Sequence, residues 1–274
     1  MEILADPATV ALFIGALALG ALVAGLLAGL LGVGGGIVIV PILYWILTAL
    51  EVDPAIVMHI AVGTSLLTII PTAISSSRSH NRRGNVDPEL FRRWLPGVFV
   101  GAALGGISAR FYEGAVLQAV FGVVALLVAV NMTLRKGIVI GQTPPKSVAA
   151  NAALGGIVGY ISALMGIGGG TLSVPILSAF SVPILKAVGT ASTFGLVISI
   201  PAVLGFIWAG WSVPGLPPLS LGYVNLAAAA IIIPITVLTA PLGARIASSI
   251  NQRALRLCFA AFLGLTAVRM LLSL

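Results

Sequence analysis

The clearest chemical signal in this sequence is a run of glycines that occurs twice. Gly32-Val33-Gly34-Gly35-Gly36 recurs as Gly166-Ile167-Gly168-Gly169-Gly170, and a proline, Pro41 or Pro175, follows five residues after the last glycine of each copy. Consecutive glycines let backbone N–H groups converge on an anion, and the proline suits the first position of a short helix whose positive end faces that anion. We predict that substrate binds to Gly34, Gly35, Gly36, Gly168, Gly169 and Gly170. The alternative is that these glycines serve only close helix packing, as we expect for Gly25, Gly29, Gly101 and Gly105.

A pair of hydroxyl-bearing segments follows the glycine runs. The first is Gly63-Thr64-Ser65 and the second is Gly189-Thr190-Ala191-Ser192. Counted from the prolines that open these helices, the threonines lie roughly 10–15 Å deep at about 1.5 Å per residue, near the middle of a membrane. A hydroxyl can donate to an anion without adding charge, so we predict substrate contacts from Thr64, Ser65, Thr190 and Ser192. The alternative is a hydrogen bond from each threonine to the carbonyl four residues earlier.

Four further polar residues are candidates for gating or for a charge contact. His59 and Lys186 fall one position apart when the two halves are aligned, and Asn131 aligns with Arg269. For His59 and Lys186 we favour anchoring at the membrane surface, and Arg269 can also reach that surface. No Asp or Glu lies deep in an apolar run, which argues against a proton or sodium relay built on carboxylates.

The sequence offers no arrangement for catalysis, metal binding or a cofactor. The single cysteine, Cys258, excludes an internal disulfide and a cysteine metal cluster. No His/Asp/Glu cluster and no recognisable Ser-His-Asp spacing occurs, and neither glycine run continues into the Gly-Lys-Ser/Thr of a nucleotide loop. We therefore expect a protein that is not an enzyme and needs no metal or cofactor.

Composition places all of these residues in a membrane. Hydrophobic residues make up 59% of the 274 residues and charged residues only 8%, against about 25% charged in soluble domains. The ranges 7–50, 147–185 and 187–244 contain no Lys, Arg, Asp or Glu, and one span needs about 20 apolar residues. The first residues lack a basic region, so we expect no cleaved signal peptide. The net charge of +7 falls mostly in short loops, as orientation signals do, and does not indicate nucleic-acid binding.

The chain repeats one plan in two halves, residues 1–140 and 141–274, which together form one transmembrane domain. The offset between the halves is 134 residues at the glycine runs, 126 at the Val-Gly-Thr helices and 138 in the last helices. After each glycine-interrupted run we predict three spanning helices. They are placed at about 55–77, 94–110 and 115–134 in the first half, and at about 183–208, 222–246 and 252–273 in the second.

The distribution of Lys and Arg favours inverted halves. If each glycine-interrupted run enters and returns to the same side, twelve of the 14 basic residues lie on one side, and only Arg110 and Arg269 lie on the other. A single crossing divides them nine to five. Orientation follows this bias, so we predict an all-α polytopic membrane protein of 8–10 membrane segments. Each inverted repeat is then a glycine-tipped helical hairpin plus three spanning helices, with both termini outside.

The doubled Gly-x-Gly-Gly-Gly-x-x-x-x-Pro stretch, each copy followed by a Val-Gly-Thr helix, resembles the sulfite exporter TauE/SafE family over nearly the whole chain. The resemblance implies a transporter that exports sulfite or organosulfonates, small anions, through the plasma membrane of a prokaryote. The lipid bilayer is then its surroundings, and the chain is either a monomer or a homodimer. The alternatives are an importer of another small anion, and a non-transporting membrane subunit, scaffold or lipid-handling enzyme.

Overall fold

The structure, a computed structural model, describes residues 7–133, 139–247 and 252–274. For residues 252 and 254–256 it describes the backbone and not the side chains. Ten α-helices follow one another in these ranges: α1 (Pro7–Leu31), α2 (Gly36–Ala49), α3 (Pro54–Asn81), α4 (Pro88–Ser108), α5 (Gly114–Thr133), α6 (Val148–Met165), α7 (Gly170–Ala179), α8 (Ile184–Ala209), α9 (Leu226–Ile246) and α10 (Gln252–Leu272). A short 3-10 helix (Ala109–Phe111) follows α4, and the antiparallel strands β1 (Ser220–Leu221) and β2 (Val224–Asn225) precede α9.

Most of these helices are long and apolar enough to cross a membrane. Among the described residues, seven helices meet that condition: α1, α3, α4, α5, α6, α8 and α9. The apolar part of α10 is shorter, and α2 and α7 are short helices of 14 and 10 residues. At 1.5 Å per residue, α2 and α7 span only about 21 and 15 Å, which is less than a bilayer core of about 30 Å. The prediction of an all-α polytopic membrane protein is confirmed.

Helix boundaries agree with the predicted ones within two residues except at one end and two starts. Helix α3 continues to Asn81 and not to about 77, so Arg78 and His80 lie in a helix and not in the predicted loop. Asp87 accepts hydrogen bonds from the N–H groups of Glu89 and Leu90, so α4 begins at Pro88 and not near residue 94. Arg92 and Arg93 therefore lie in a helix and not in the predicted loop. In the second half, the strand pair β1–β2 occupies the chain before Asn225 caps Ala228 N–H, so α9 begins at Leu226 and not near 222.

Glycines bring α1 against α9, and α4 against α6, at very short range. A methyl group on Gly29 would lie 2.0 Å from the Ala240 carbonyl oxygen, and one on Gly101 would lie 2.1 Å from that of Gly156. Gly25 and Gly105 also meet the partner helix closely, at Thr236 and Tyr160. These contacts confirm the packing role expected for Gly25, Gly29, Gly101 and Gly105. In both pairs the residue numbers of the contacts rise together along the two helices, so the paired helices run parallel.

Corresponding helices of the two halves run antiparallel to each other. A methyl group on Gly63 of α3 would lie 3.2 Å from Phe206 Cβ of α8, whereas one on Gly195 of α8 would lie 3.2 Å from Ala73 Cβ of α3. In the α5–α10 pair, Gln118 near the start of α5 donates to the Met270 carbonyl near the end of α10. Antiparallel pairing of matched helices is the relation that inverted repeats require.

These directions give the bundle two ends of different charge. At the basic end, α4, α6 and α8 begin and α3 and α9 finish. The positively charged residues described there are Arg78, Arg82, Arg83, Arg92, Arg93, Lys146, Lys186, Arg245 and Arg253. Asp87 and Glu89 lie there too, as the cap of α4 and the ion-pair partner of Arg93. At the acidic end, α3, α5 and α9 begin, and its carboxylates are Glu51, Asp53 and Glu113.

Candidate functional site

The two glycine runs meet each other, backbone against backbone. Gly168 N–H donates to the Val33 carbonyl oxygen over 3.2 Å. A methyl group on Gly170 would lie 2.1 Å from the Gly32 oxygen, and one on Gly36 would lie 2.2 Å from the Gly166 oxygen. We call residues 32–36 the first tip and residues 166–170 the second tip. The structure therefore brings Gly34, Gly36, Gly168 and Gly170 into contact across the tips and leaves no space for a ligand directly between them, whereas Gly35 lies against Ala24 and Gly169 against Phe194.

The tips meet halfway along the two central helices. A methyl group on Gly34 would lie 3.2 Å from the Ile69 side chain, and Ile69 is near the middle of the 28-residue helix α3. A methyl group on Gly169 would lie 2.6 Å from Phe194 Cβ, near the middle of the 26-residue helix α8. Both central helices are long enough to span the bilayer, so their midpoints lie near its midplane.

The short helices begin directly at the tips, and this corrects the predicted position of the prolines. Helix α2 starts at Gly36 and α7 at Gly170, so Pro41 and Pro175 occupy the sixth position and not the first. Gly35 makes the early start possible because its φ of 81° turns the chain straight into α2, a conformation that other residues avoid. The positive ends of both helices nevertheless face the tips, as expected.

Thr64 and Thr190 make the same contact in opposite halves. Thr64 Oγ1 accepts a hydrogen bond from Asn225 N–H (2.8 Å), and Thr190 Oγ1 accepts one from Asp87 N–H (2.9 Å). Asn225 and Asp87 cap the helices α9 and α4. Neither threonine oxygen bonds the carbonyl four residues earlier among the contacts of the described chain. The pair therefore holds the loops before α9 and α4, and each oxygen is turned toward a loop.

The two predicted serines differ in what they hold. Ser65 donates to the Gly166 carbonyl oxygen of the second tip over 2.7 Å, so α3 contacts a tip from the other half of the chain. Ser192 donates to the Gly189 carbonyl within its own helix over 2.6 Å. Only the first of these hydroxyls joins separate elements, although the sequence places both in similar surroundings.

Ser65→Ala should destabilise the protein because the buried Gly166 carbonyl loses its side-chain donor. An unpaired buried acceptor costs about 1–3 kcal/mol. Ser192→Ala is the matched control, since it removes an equally buried hydroxyl that bonds only its own helix. Thermal unfolding in detergent should show a lower midpoint for Ser65→Ala than for Ser192→Ala. Equal midpoints would mean that the Ser65 contact contributes nothing to stability.

A cavity of about 610 Å³ extends from the tips to the basic end. At its inner limit lie Val33, Gly170 and Thr171, and at its outer limit lie Ile140, Leu185 and Ala247. Asn131, one of the predicted candidates, is in its wall. Thr171 and Ser178 also line it, and sequence reasoning missed both. The available signal was the position of Thr171, the first hydroxyl after the second glycine run.

The charged candidates lie away from the tips. His59 is buried, its Nε2 donates to the carbonyl oxygens of Ala109 (3.2 Å) and Tyr112 (3.1 Å), and its ring stacks on Tyr223. The expected anchoring of His59 at the membrane surface is therefore wrong, because backbone carbonyls at the end of α4 hold the ring inside. Burial also raises the pKa of the Tyr223 phenol, which stays neutral.

Lys186 and Arg269 are both exposed. Lys186 lies in the first turn of α8, next in sequence to the cavity residue Leu185. The Arg269 guanidinium lies over the Trp45 ring, 5.4 Å from its centroid. A similar contact joins Arg110 to Trp208 over 4.8 Å. Among the described residues, no three His, Cys, Asp or Glu side chains come close enough to hold a metal ion.

Comparisons with known proteins agree with this architecture. The family model "Sulfite exporter TauE/SafE" matches residues 17–270. A probable membrane transporter protein of Haemophilus influenzae is 34% identical over 252 residues, which cover 91% of this chain and 95% of that protein. A probable membrane transporter protein of Methanocaldococcus jannaschii is 26% identical over 260 residues, with 91% and 92% covered.

A shorter match links the chain to the probable membrane transporter protein YunE of Bacillus subtilis, at 31% identity over 189 residues that cover 62% of this chain and 69% of that protein. No solved structure matches the chain significantly. The family model covers nearly all of the sequence, including both tips and both central helices. The chain therefore belongs to the sulfite exporter TauE/SafE family of membrane transport proteins.

Proposed function

We propose that this protein carries a small sulfur-containing anion, sulfite or an organosulfonate, out of a prokaryotic cell through its plasma membrane. The observation that carries the proposal is the meeting of two glycine tips near the midplane, each followed by the positive end of a short helix. Interrupted helices that point their positive ends at the midplane bind anions in other transporters built from repeats. The six tip glycines, with the nearby hydroxyls of Thr64, Ser65, Thr190 and Ser192, make up the proposed region of passage.

We further propose that residues 1–140 and 141–274 are inverted repeats. Antiparallel pairing of α3 with α8, and of α5 with α10, supports this relation. The equivalent contacts of Thr64 and Thr190 with the caps of α9 and α4 support it independently. In such an arrangement each hairpin reaches the midplane from its own side, and separation of the tips opens a path between the two sides.

The charges favour an anion that enters from the basic end. The cavity extends to Leu185 at that end, the residue before Lys186, and positive groups around a cavity raise the local concentration of anions. The positive-inside rule favours the cytoplasm for that end, and an anion that enters there leaves the cell, which supports the proposed export. No acidic side chain lies within the membrane interior of the described ranges, where it would repel the substrate.

Flux through purified protein in liposomes tests this function. The probes are sulfite, butanesulfonate and butyrate, each offered at equal concentration, with protein-free liposomes as the control. We expect saturable movement of at least one sulfur oxyanion and weaker movement of butyrate. Preference for butyrate would indicate a carrier of a different small anion, and the absence of flux for every probe would indicate a non-transporting subunit or scaffold.

Single cysteines at the two ends should react from opposite sides of the membrane. In a Cys258→Ser background, Arg82→Cys marks the exposed loop at the basic end and Ser212→Cys marks the exposed loop at the acidic end. We expect an impermeant thiol reagent to label Ser212→Cys in intact cells, and to label Arg82→Cys only after the membrane is opened. The reverse pattern would overturn both the orientation and the proposed direction of export.

A further inference from the structure

The second hairpin differs from the first in its polar groups. Four buried hydroxyl oxygens in the described chain have no hydrogen-bond partner, and all four belong to the hairpin formed by α6 and α7: Ser162, Thr171, Ser173 and Ser178. At the offset of 134 residues that relates the glycine runs, the first hairpin has Ala28, Ile37, Ile39 and Tyr44 at these positions. Unpartnered buried hydroxyls are therefore confined to one of the two otherwise similar hairpins.

Such hydroxyls usually find a carbonyl in their own helix. Thr48, Thr72 and Thr239 each donate to the carbonyl four residues earlier. Thr171 lacks this option because it is the second residue of α7, and the residues four and five positions before it form the non-helical tip. The Thr171 side chain is only 3% exposed, so its unpaired hydroxyl raises the free energy of the folded protein. A ligand that accepts a hydrogen bond from this hydroxyl removes that unfavourable term.

Two of these hydroxyls lie on one face of α7 that lines the cavity. Thr171, Val174, Pro175 and Ser178 are spaced as neighbours on one helical face, and all four are cavity residues. Thr171 lies at the tip and Ser178 lies about 10 Å further toward the basic end, at about 1.5 Å per residue. The first N–H groups of α7 also lie beside Thr171 and have no acceptor within the helix. This face therefore offers hydrogen-bond donors at the depth of the tips.

The rest of the cavity wall is apolar where the structure describes it. Among the described lining residues, Asn131 is the remaining polar side chain, and none of them is charged. A cavity of about 610 Å³ is far larger than one three-oxygen anion, since a water molecule occupies about 30 Å³ of liquid. An anion with a hydrocarbon portion fills such a space better than a strongly hydrated inorganic ion.

We propose that, of the two hairpins, only the second binds the substrate, an organic anion whose oxyanion group accepts from the Thr171 hydroxyl and the first N–H groups of α7. Its hydrocarbon part lies against the apolar wall, and Ser178 and Asn131 contact it nearer the basic end. The first hairpin then acts as a scaffold that closes against the second tip. This inference rests on the proposed transport function and assigns substrate binding to one of the two hairpins.

The variants Thr171→Val and Ser178→Ala test the assignment, with Thr239→Val as the matched control. Thr239 is half-buried in α9, bonds its own helix and does not line the cavity. For butanesulfonate flux in liposomes we expect Thr171→Val to raise KM at least tenfold, Ser178→Ala to raise it a few-fold and Thr239→Val to leave it unchanged. For the wild type, the KM of flux should be lower for butanesulfonate than for sulfite. Flux of butyrate by the wild type tests whether a carboxylate can replace the sulfonate.

Thermal unfolding separates binding from a structural role. Thr171→Val removes a hydroxyl that has no partner, so without substrate its unfolding midpoint should equal or exceed that of the wild type. Butanesulfonate should raise the midpoint of the wild type and of Thr239→Val but not that of Thr171→Val. An unchanged KM in Thr171→Val, while the wild type transports, would overturn this inference and leave the proposed function intact. A wild type that moves none of the probes would overturn both.

Discussion

Gly170→Ala is expected to cause the largest loss of stability of any single methyl addition at the tips. The new Cβ would lie 2.1 Å from the Gly32 carbonyl oxygen and 2.7 Å from Val33 N, so it strikes backbone and not a movable side chain. Overpacking typically lowers the free energy of unfolding by about 1–3 kcal/mol. Because this methyl group meets fixed backbone, we expect a loss at or above the upper limit of that range. The two tips could then no longer meet, and we expect both the folded yield and the flux to fall at least tenfold.

Gly156→Ala is the control for this change. It adds the same methyl group to a helix of the same hairpin, where the nearest atom is 3.8 Å away. Alanine is favoured over glycine in a helix by about 1 kcal/mol, so Gly156→Ala should be neutral or stabilising. The measurement is the thermal midpoint in detergent together with flux in liposomes. If Gly170→Ala kept both at the level of Gly156→Ala, the tips would not be in the contact described.

Membrane potential is expected to have the second largest effect. A potential of 100 mV is equivalent to about 2.3 kcal/mol per charge, which gives roughly forty-fold accumulation of a monovalent anion on the positive side. The described membrane interior has no acidic side chain that could bind a coupled proton or sodium ion: Glu51, Asp53, Glu89 and Glu113 are exposed, and Asp87 caps α4. Potential alone should therefore drive export.

This expectation can be measured in liposomes with a potassium diffusion potential set by valinomycin. Accumulation of butanesulfonate should follow the imposed potential and persist when only the pH gradient is collapsed. Flux that requires a proton gradient at constant potential would contradict it. The titrating group would then be one of the two buried histidines, His59 or His80. His59 Nε2 donates to the carbonyls of Ala109 and Tyr112 just after α4, and His80 Nε2 donates to the Gly29 carbonyl of α1.

Features that repeat along the chain were predictable from the sequence. The two glycine runs predicted two tips, and the long charge-free ranges predicted spanning helices that lie close to the observed ones except at the end of α3 and the starts of α4 and α9. Small residues at a spacing of four predicted the close contacts of Gly25 and Gly101. These features depend on local sequence and on helix periodicity, both of which are visible without knowledge of the fold.

Features that depend on a distant partner were not predictable. Thr64 bonds a residue 161 positions away, and Thr190 bonds one 103 positions away. The burial of His59 depends on carbonyls of Ala109 and Tyr112, about 50 residues later. Nothing near these residues in sequence indicates such partners. Thr171 is a different case, because it directly follows a glycine run, so the sequence already indicated that no helical turn precedes it to supply a carbonyl for its hydroxyl.

Modification of a single cysteine at Val33 tests the central claim, passage of an anion between the tips, most directly. Val33 lines the cavity, and its carbonyl accepts the Gly168 N–H, so it lies where the first tip meets the second. In Val33→Cys with Cys258→Ser, a small thiol reagent should react from the basic end, butanesulfonate should slow the reaction, and flux should fall at least tenfold after modification. Complete modification with unchanged flux would contradict the account.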